Sequence, residues 1–486
     1  MYRPIPYTIG LPASVTTKAV LVYFILLGGV SLIFTNYVLS WYWWAFGIVG
    51  VVAFFYLGKD ASRKWSNCST KKFEQRVFIT TWLIRSIYVI VAYLFFMNMT
   101  GIPHEINAGD AKFYSDAGIY GAHLLREGNF FHLYPMLNDW CNGHLMFSDC
   151  GAPIFWSIMY LITNDNILLA RILQCFLSAG MCIFMYRLAT RNFGEETGRL
   201  TAVMCMLMPN FFFYCATSLK ETCMLFLIAL FVERADLVLR DRHATVLTTV
   251  LMLSSALILF AFRTALGGVL LVSLFVALIL SSTKVVGWGK RILISLCAIA
   301  FLAITFNNEI EQELQSLTNR DLLSNQQSAN EDRSKRTDGK GNSFAVYATA
   351  TVMAPLIFTV PFPTFVEVPY AETQIMNNAG NYVKNVTSFF TILAMFVLLL
   401  SGDWRKHVLP ICVVVGYLFV LVMSSFAHSE RFHIPSLPFE LMFAAYMMTK
   451  FREKKKYERW FLYWMVLVLV AGFGWNWIKL SGRGYL

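Results

Sequence analysis

Apolar residues come along this chain in long runs rather than at the spacing of an amphipathic helix or a half-buried strand. Val20 to Leu39, Phe78 to Met97, Val246 to Phe262, Ser388 to Leu400, Val408 to Phe426 and Trp460 to Trp477 are the clearest. A helix needs about 20 apolar residues to cross the hydrocarbon core of a bilayer. These runs approach that length alone or with their flanks, and none carries the charged face of a soluble core helix. The pattern predicts an all-α polytopic membrane protein. The first span begins near Lys18 and lacks a short apolar region followed by a small-residue cleavage site. It is expected to remain as an anchor.

Composition agrees: 57% of the 486 residues are hydrophobic, 14% are charged, and mean hydropathy is +0.55. So few charges could hardly cover the surface of a soluble protein of this length. Charge adds a direction. Formal net charge is +11. Of the 40 Lys and Arg residues, 23 fall in the 65 positions of six short segments, 59–76, 187–199, 234–243, 284–291, 402–407 and 450–459. The positive-inside rule retains such loops in the cytoplasm. Topology therefore accounts for the basic excess without a nucleic-acid partner.

With those loops inside, spans are expected near 18–40, 41–58, 77–98, 166–187, 199–216, 217–236, 246–262, 264–282, 292–306, 383–401, 408–427, 432–449 and 459–478, about 13 in all. Two larger outer loops result, 99–151 and 307–344. The proline-bearing stretch 345–370 is expected to be re-entrant or interfacial. The chain divides into an N-terminal hairpin (1–58), a core (59–306), the second outer loop with its re-entrant segment (307–380) and C-terminal helices (381–486). Most of the ten cysteines lie in spans and read as small packing residues. Cys141 and Cys150 lie in the first outer loop, where an oxidising compartment would let them form a disulfide.

Four polar features fall on the outer side. Asp110 opens the stretch Gly109 to Gly128 and shares a helical face with Tyr114, Ala117 and Gly121. A carboxylate beside a membrane surface suits a general base, and it equally suits a helix cap. Lys220 and Glu221 sit in a tight turn at membrane depth, where charge is costly. Lys220 is a phosphate-binding candidate or half of an ion pair closing the turn. Arg263 stands alone between two apolar runs, ready for phosphate or for snorkelling to headgroups. His428, Glu430, Arg431 and His433 crowd the last outer turn. One acid with several cations suits a lipid-linked phosphate donor: the cations hold the phosphate and the carboxylate deprotonates an acceptor hydroxyl. No Gly-rich phosphate loop, HExxH, paired CxxC or G-x-S-x-G is present, and Asp110 and Asp116 do not form a DxD. Neither a metal nor a cofactor is expected. Arg171 and Glu440 fall inside spans and receive no role.

The arrangement resembles the GT-C glycosyltransferases, especially the bacterial relatives of protein O-mannosyltransferases and aminoarabinose transferases. The resemblance rests on Asp110, Tyr114 and Ala117, on the helix–basic loop–helix of 170–210, on Ser-Leu-Lys-Glu at 218–221, and on RFHIPSLPFELMFAA at 431–445. It implies a polyprenyl-phosphate sugar donor, a glycan, lipid or protein acceptor, and a site between the outer loops and the membrane. Asp110 would be the base, and Lys220, Arg263 and Arg431 would hold the phosphate. Tyr114, Glu221, His428 and His433 complete the substrate-binding candidates. The location implied is a bacterial cytoplasmic membrane with the site facing outward. The chain departs from that pattern in its extra N-terminal hairpin, in Ala111 following Asp110 where an Asp-Glu pair is usual, and in a 307–344 loop without a sugar-binding motif. Two other functions compete. A polysaccharide polymerase or ligase would use lipid-diphosphate donors and rely more on Arg and His. A transporter or flippase would show inverted repeats and broken helices near the midplane.

Overall fold

The computed structural model describes residues 10–106, 108–143, 145, 147–240, 245–280, 356–369, 371–423, 429–451 and 455–486. The span expected at 292–306, the loop 307–344, the basic segment 284–291, residues 345–355 and 370 of the proline-bearing stretch, and His428 lie outside these. The helices are α1 (Ala13–Ile33), α2 (Trp41–Val52), α3 (Gly58–Lys64), α4 (Thr70–Thr100), α5 (Gly109–Arg126), α6 (Leu133–Trp140), α7 (Phe147–Thr163), α8 (Ile167–Phe193), α9 (Glu195–Leu207), α10 (Pro209–Ala216), α11 (Glu221–Arg240), α12 (Val246–Phe262), α13 (Thr264–Leu280), α14 (Glu372–Met376), α15 (Asn378–Ser401), α16 (Val408–Met423), α17 (Glu430–His433), α18 (Leu437–Phe451) and α19 (Lys455–Ser481). Extended pairing among the described residues is limited to one bridge between Val38 and Val366.

Among the described residues, six helical stretches are long and apolar enough to cross a membrane, among them Trp41–Lys64, which joins α2 to α3, and the bent pair α9–α10 makes a seventh. Thirteen were expected, one of them, 292–306, outside the described residues. Helices α12, α13 and α16 are apolar but have 17, 17 and 16 residues, about 25 Å each against a hydrocarbon core of about 30 Å. Helix α11 carries Glu221, Glu233, Arg234, Asp236 and Arg240. The span expected at 432–449 starts only at Leu437, after the single turn α17 and Pro435.

Helices α4 and α8 set the long axis. They run antiparallel, tied by polar contacts at three heights. At one end Arg187 forms a bidentate pair with Glu74. Midway, Arg85 donates to Ser178. At the other end Arg171 donates to the carbonyl of Pro103. Arg171 and Arg187 are 16 positions apart on α8, so the two ends are separated by roughly 24 Å of helix rise. The described basic segments gather at the Arg187 end. Arg199 donates to the carbonyls of Trp65, Ser66 and Cys68. Arg191 pairs with Glu233 and Asp236, and Arg240 reaches the carbonyl of Lys406.

Arg85 also explains the bend in the next span. Pro209 cannot donate to the helix ladder, and α9 and α10 meet at 47°. Arg85 donates to the carbonyl of Cys205 (2.7 Å), one of those left at the end of α9. A cation inside an apolar run is thereby satisfied by backbone oxygens that would otherwise be bare in lipid.

The proline-bearing segment is largely irregular over 356–369 and buried over 359–366. Side chains supply what a helix ladder would. Asn385 donates to the carbonyls of Thr359 and Pro361. Asn476 accepts from the Phe365 N–H (2.7 Å) and donates to the Pro363 carbonyl (3.1 Å). Non-helical backbone at membrane depth is tolerated where protein groups pair it in this way.

The orientation read from the basic loops predicts a simple labelling asymmetry. Phe131, in the loop expected to lie outside, is 97% exposed. In intact cells, Phe131→Cys should react with a membrane-impermeant maleimide, and Lys406→Cys only after permeabilisation, each against the wild-type background. The reverse order would overturn the orientation.

Candidate active site

The site forms at the end of the bundle opposite the basic loops. Helix α4 ends at Gly101, whose φ of +72° turns the chain out of the helix. Eight residues later α5 begins, with Ala108 at its cap position. Asp110 lies within the first turn and makes no side-chain capping bond. Its carboxylate instead accepts from Arg431 Nη1. Arg431 Nε donates at the same time to Glu221. One guanidinium thus bridges an acid at the start of α5 and an acid at the start of α11. The two acids differ in setting: the Asp110 side chain is 60% exposed and that of Glu221 0%. Burial alone would lower the Arg431 pKa, but Glu221 and Asp110 hold it well above its ordinary value.

Lys220 precedes Glu221 and is buried, with 6% of its side chain exposed. Its ammonium donates to Asp149 and to the carbonyl of Phe262 (2.8 Å). Burial and the nearby Arg263 lower its pKa, while Asp149 and Glu221 oppose that shift. Arg263 follows α12 in extended conformation. Its Nη1 donates to the Tyr417 hydroxyl (3.0 Å), and its guanidinium lies 4.5 Å from the centre of the Phe432 ring. Tyr114 is buried beside Arg431 and the acids. Burial pushes its phenol pKa up, so it stays protonated as a donor.

Helix packing fixes these positions. Helices α5 and α7 run side by side in the same direction. Gly118 lies against Trp156, and Gly121 lies so close to Ser157 that an added Cβ would fall 2.0 Å from its Oγ. Farther along, Arg126 reaches Asp165 (2.8 Å) and the Tyr160 carbonyl (3.2 Å). The N-termini of both helices, with Asp110 and Asp149, therefore lie at the same end. Gly151 plays the same part toward α12, since an added Cβ there would meet Phe262 and the Ala261 carbonyl at under 3 Å.

A second layer lies beneath. Arg171 donates to Ser218 through Nε (3.2 Å) and Nη2 (3.0 Å), and Nη2 lies 3.1 Å from His104 Nδ1. Burial lowers the His104 pKa to about 4, helped by Arg171 and Lys112. The ring is therefore neutral near pH 7, and Nδ1 accepts from Arg171. Burial raises the pKa of the neighbouring Glu105 against the pull of Arg171 and Arg431. Arg171 thus anchors the turn that carries Lys220 and Glu221.

The structure brings together Asp110, Tyr114, Lys220, Glu221, Arg263 and Arg431. It places His433 elsewhere, buried with Nδ1 2.7 Å from Lys384 Nζ. The expected Cys141–Cys150 disulfide is not formed. Both thiols are free and buried, and they pack as apolar groups with Ala117, Leu124, Leu125 and Leu137 under α5. Sequence reasoning missed Asp149, His104, Glu105 and Lys384. The first three stand in polar loop surroundings where one more polar residue gives no signal. Arg171 was visible as a charge in an apolar run.

Residues 375–478, which carry α15 through most of α19 and include Arg431 and His433, match the model of the Alg9-like mannosyltransferase family. No curated protein matches the chain.

The neutral His104 predicts acid sensitivity. Between its ordinary pKa of 6.5 and about 4, the unfolded chain binds a proton that the folded chain does not. Stability should therefore fall with pH across that window, by about 1.4 kcal/mol per unit from this group. Thermal unfolding in detergent from pH 7.5 to 4.5 should show a shallower decline in His104→Asn than in the wild type. Parallel declines would remove His104 as a contributor.

Proposed function

We propose that this chain, a glycosyltransferase of GT-C type, moves a sugar from a polyprenyl-phosphate donor to an acceptor hydroxyl on the non-cytoplasmic face of the membrane. In this reading it serves cell-surface glycan or glycolipid synthesis in a bacterial cytoplasmic membrane. The observation that carries the chemistry is Arg431 joined to Asp110 and Glu221, with Lys220 and Arg263 alongside. The placement of this group opposite the basic loops supports the face.

In the reaction the acceptor oxygen attacks the anomeric carbon, and the bond from that carbon to the phosphate oxygen breaks. The acceptor proton passes to the Asp110 carboxylate. The lipid monophosphate leaves with the electron pair of the broken bond. Its added charge falls among Lys220, Arg263 and Arg431, which stabilise it more in the transition state than in the bound donor. Arg431 suits two-point contact with phosphate oxygens, and Lys220 acts as a point charge. The lipid tail stays in the bilayer beside the apolar helices. Glu221 keeps Arg431 charged and oriented.

The test is transfer by protein reconstituted in lipid vesicles, with radiolabelled polyprenyl-phosphate sugars and membrane acceptors. The name of the matching family makes mannosyl donors the first choice. Asp110→Asn, nearly isosteric, should reduce transfer about a hundredfold or more. Undiminished transfer would remove Asp110 as the base. Use of a lipid-diphosphate donor in place of the monophosphate would point to a polymerase or ligase instead.

A further inference from the structure

Two of the three cations of the first acidic–basic layer are already occupied by exposed carboxylates. Lys220 holds Asp149, and Arg431 holds Asp110. The pairs share an asymmetry. The cations are buried or mostly buried, whereas Asp110 is 60% and Asp149 47% exposed. The acids lie on the accessible side of the charges that a phosphate would approach. Each also sits in the first turn of its helix, α5 or α7. A carboxylate there is stabilised by the helix N-terminus even without its cation partner. An incoming phosphate can therefore replace both acids without stranding either of them.

We propose that Asp149 is a positioning residue that acts through Lys220: it occupies the phosphate position in the empty enzyme and is displaced by the donor, as Asp110 is displaced from Arg431. This rests on the phosphate-binding reading of the site and adds an order to it. Donor phosphate binds first and exchanges for the two carboxylates. Asp110, released from Arg431, then becomes a stronger hydrogen-bond acceptor, free to take the hydroxyl proton. While Arg431 still holds it, an Asp110 carboxylate oxygen is occupied by the guanidinium rather than offered to a hydroxyl. The enzyme is thus kept from activating a hydroxyl, or water, before the donor is in place. The parallel packing of α5 and α7 makes the exchange concerted, because both acids lie at the same end of one helix pair. Glu221 is not exchanged. It is fully buried and remains on Nε of Arg431 when Asp110 leaves Nη1.

The experiment measures binding of a short-chain polyprenyl monophosphate without sugar to the full-length protein in nanodiscs. Inorganic phosphate serves as the arm without a lipid. Binding is read at pH 6.5, because Asp149 also supports the Lys220 charge that burial and Arg263 oppose. Asp149→Asn removes the competitor while keeping the shape, and should tighten binding about fivefold. The KM for the sugar-bearing donor should fall with it. Asp110→Asn should likewise tighten binding. Lys220→Met should weaken it tenfold or more. A purely structural role for Asp149 predicts the opposite sign, a weaker Kd and a higher KM, and a misfolded variant cannot show a gain. If Lys220→Met weakens binding while Asp149→Asn weakens it or leaves it unchanged, displacement is overturned and the phosphate site stands. If Lys220→Met has no effect, or no variant binds the lipid phosphate, both fall. Equal binding of inorganic phosphate would show that the headgroup alone is recognised, against a lipid-linked donor.

Discussion

A charge buried among apolar helices must be answered by a group from another part of the chain, because no water is there to answer it. That requirement organises this molecule. Arg85 meets backbone oxygens at the end of α9. Arg171 meets Ser218, His104 and the Pro103 carbonyl. Arg431 meets Glu221 and Asp110. Each contact joins segments tens to hundreds of residues apart, so the polar groups fix which helices adjoin and at what height. Apolar packing between helices lacks that selectivity, since lipid tails are as apolar as leucine. Removing one partner of a buried pair costs about 3–5 kcal/mol, because the other charge stays behind.

The same requirement decides what can be read from sequence. Lys220, Glu221, Arg263 and Arg431 are legible because each breaks an apolar context. Their convergence follows from sorting the basic loops, a long-range argument that needs no contact information. Asp149 is not legible. It lies in a loop that already holds Asn138, Asp139, Asn142 and Ser148, and only the approach of α7 to α12 at Gly151 brings it to Lys220. Arg85 is hidden for the opposite reason: one cation within Phe78 to Met97 does not change the hydropathy of the run. Its partner is a bend that exists only once the chain has folded.

Local structure places three of the expected site residues apart from the expected roles. Cys141 and Cys150 share an outer loop, and spacing with compartment suggested a bond. Burial in the layer beneath α5 uses them as small apolar side chains instead. His433 belongs to a dense polar turn, but α17 is a single turn, and residues two apart point to different sides. Arg431 therefore faces the acids and His433 faces Lys384. Of the stretch 345–370, expected to be re-entrant or interfacial, residues 356–369 are described and largely irregular. Asn385 and Asn476, which pair the described part of that segment with α15 and α19, carried no mark of that task in the sequence.

The close union of α5 and α7 bears on how such an enzyme could diversify. Asp110 and Asp149 are 39 positions apart in sequence, yet their spacing is set by glycine contacts along the helix pair, at Gly118 and Gly121, rather than by the chain between them. Within the connecting stretch, residues 127–132 form the exposed tip with Phe130 and Phe131, whereas Leu133, Leu137 and Cys141 are buried with Ala117, Leu124 and Leu125. Insertions, deletions and new surfaces at the tip would change what it presents without moving Asp110 or Asp149. Under the proposed reaction, that tip is where a change of acceptor contact would leave Asp110, Asp149 and their cation partners in place.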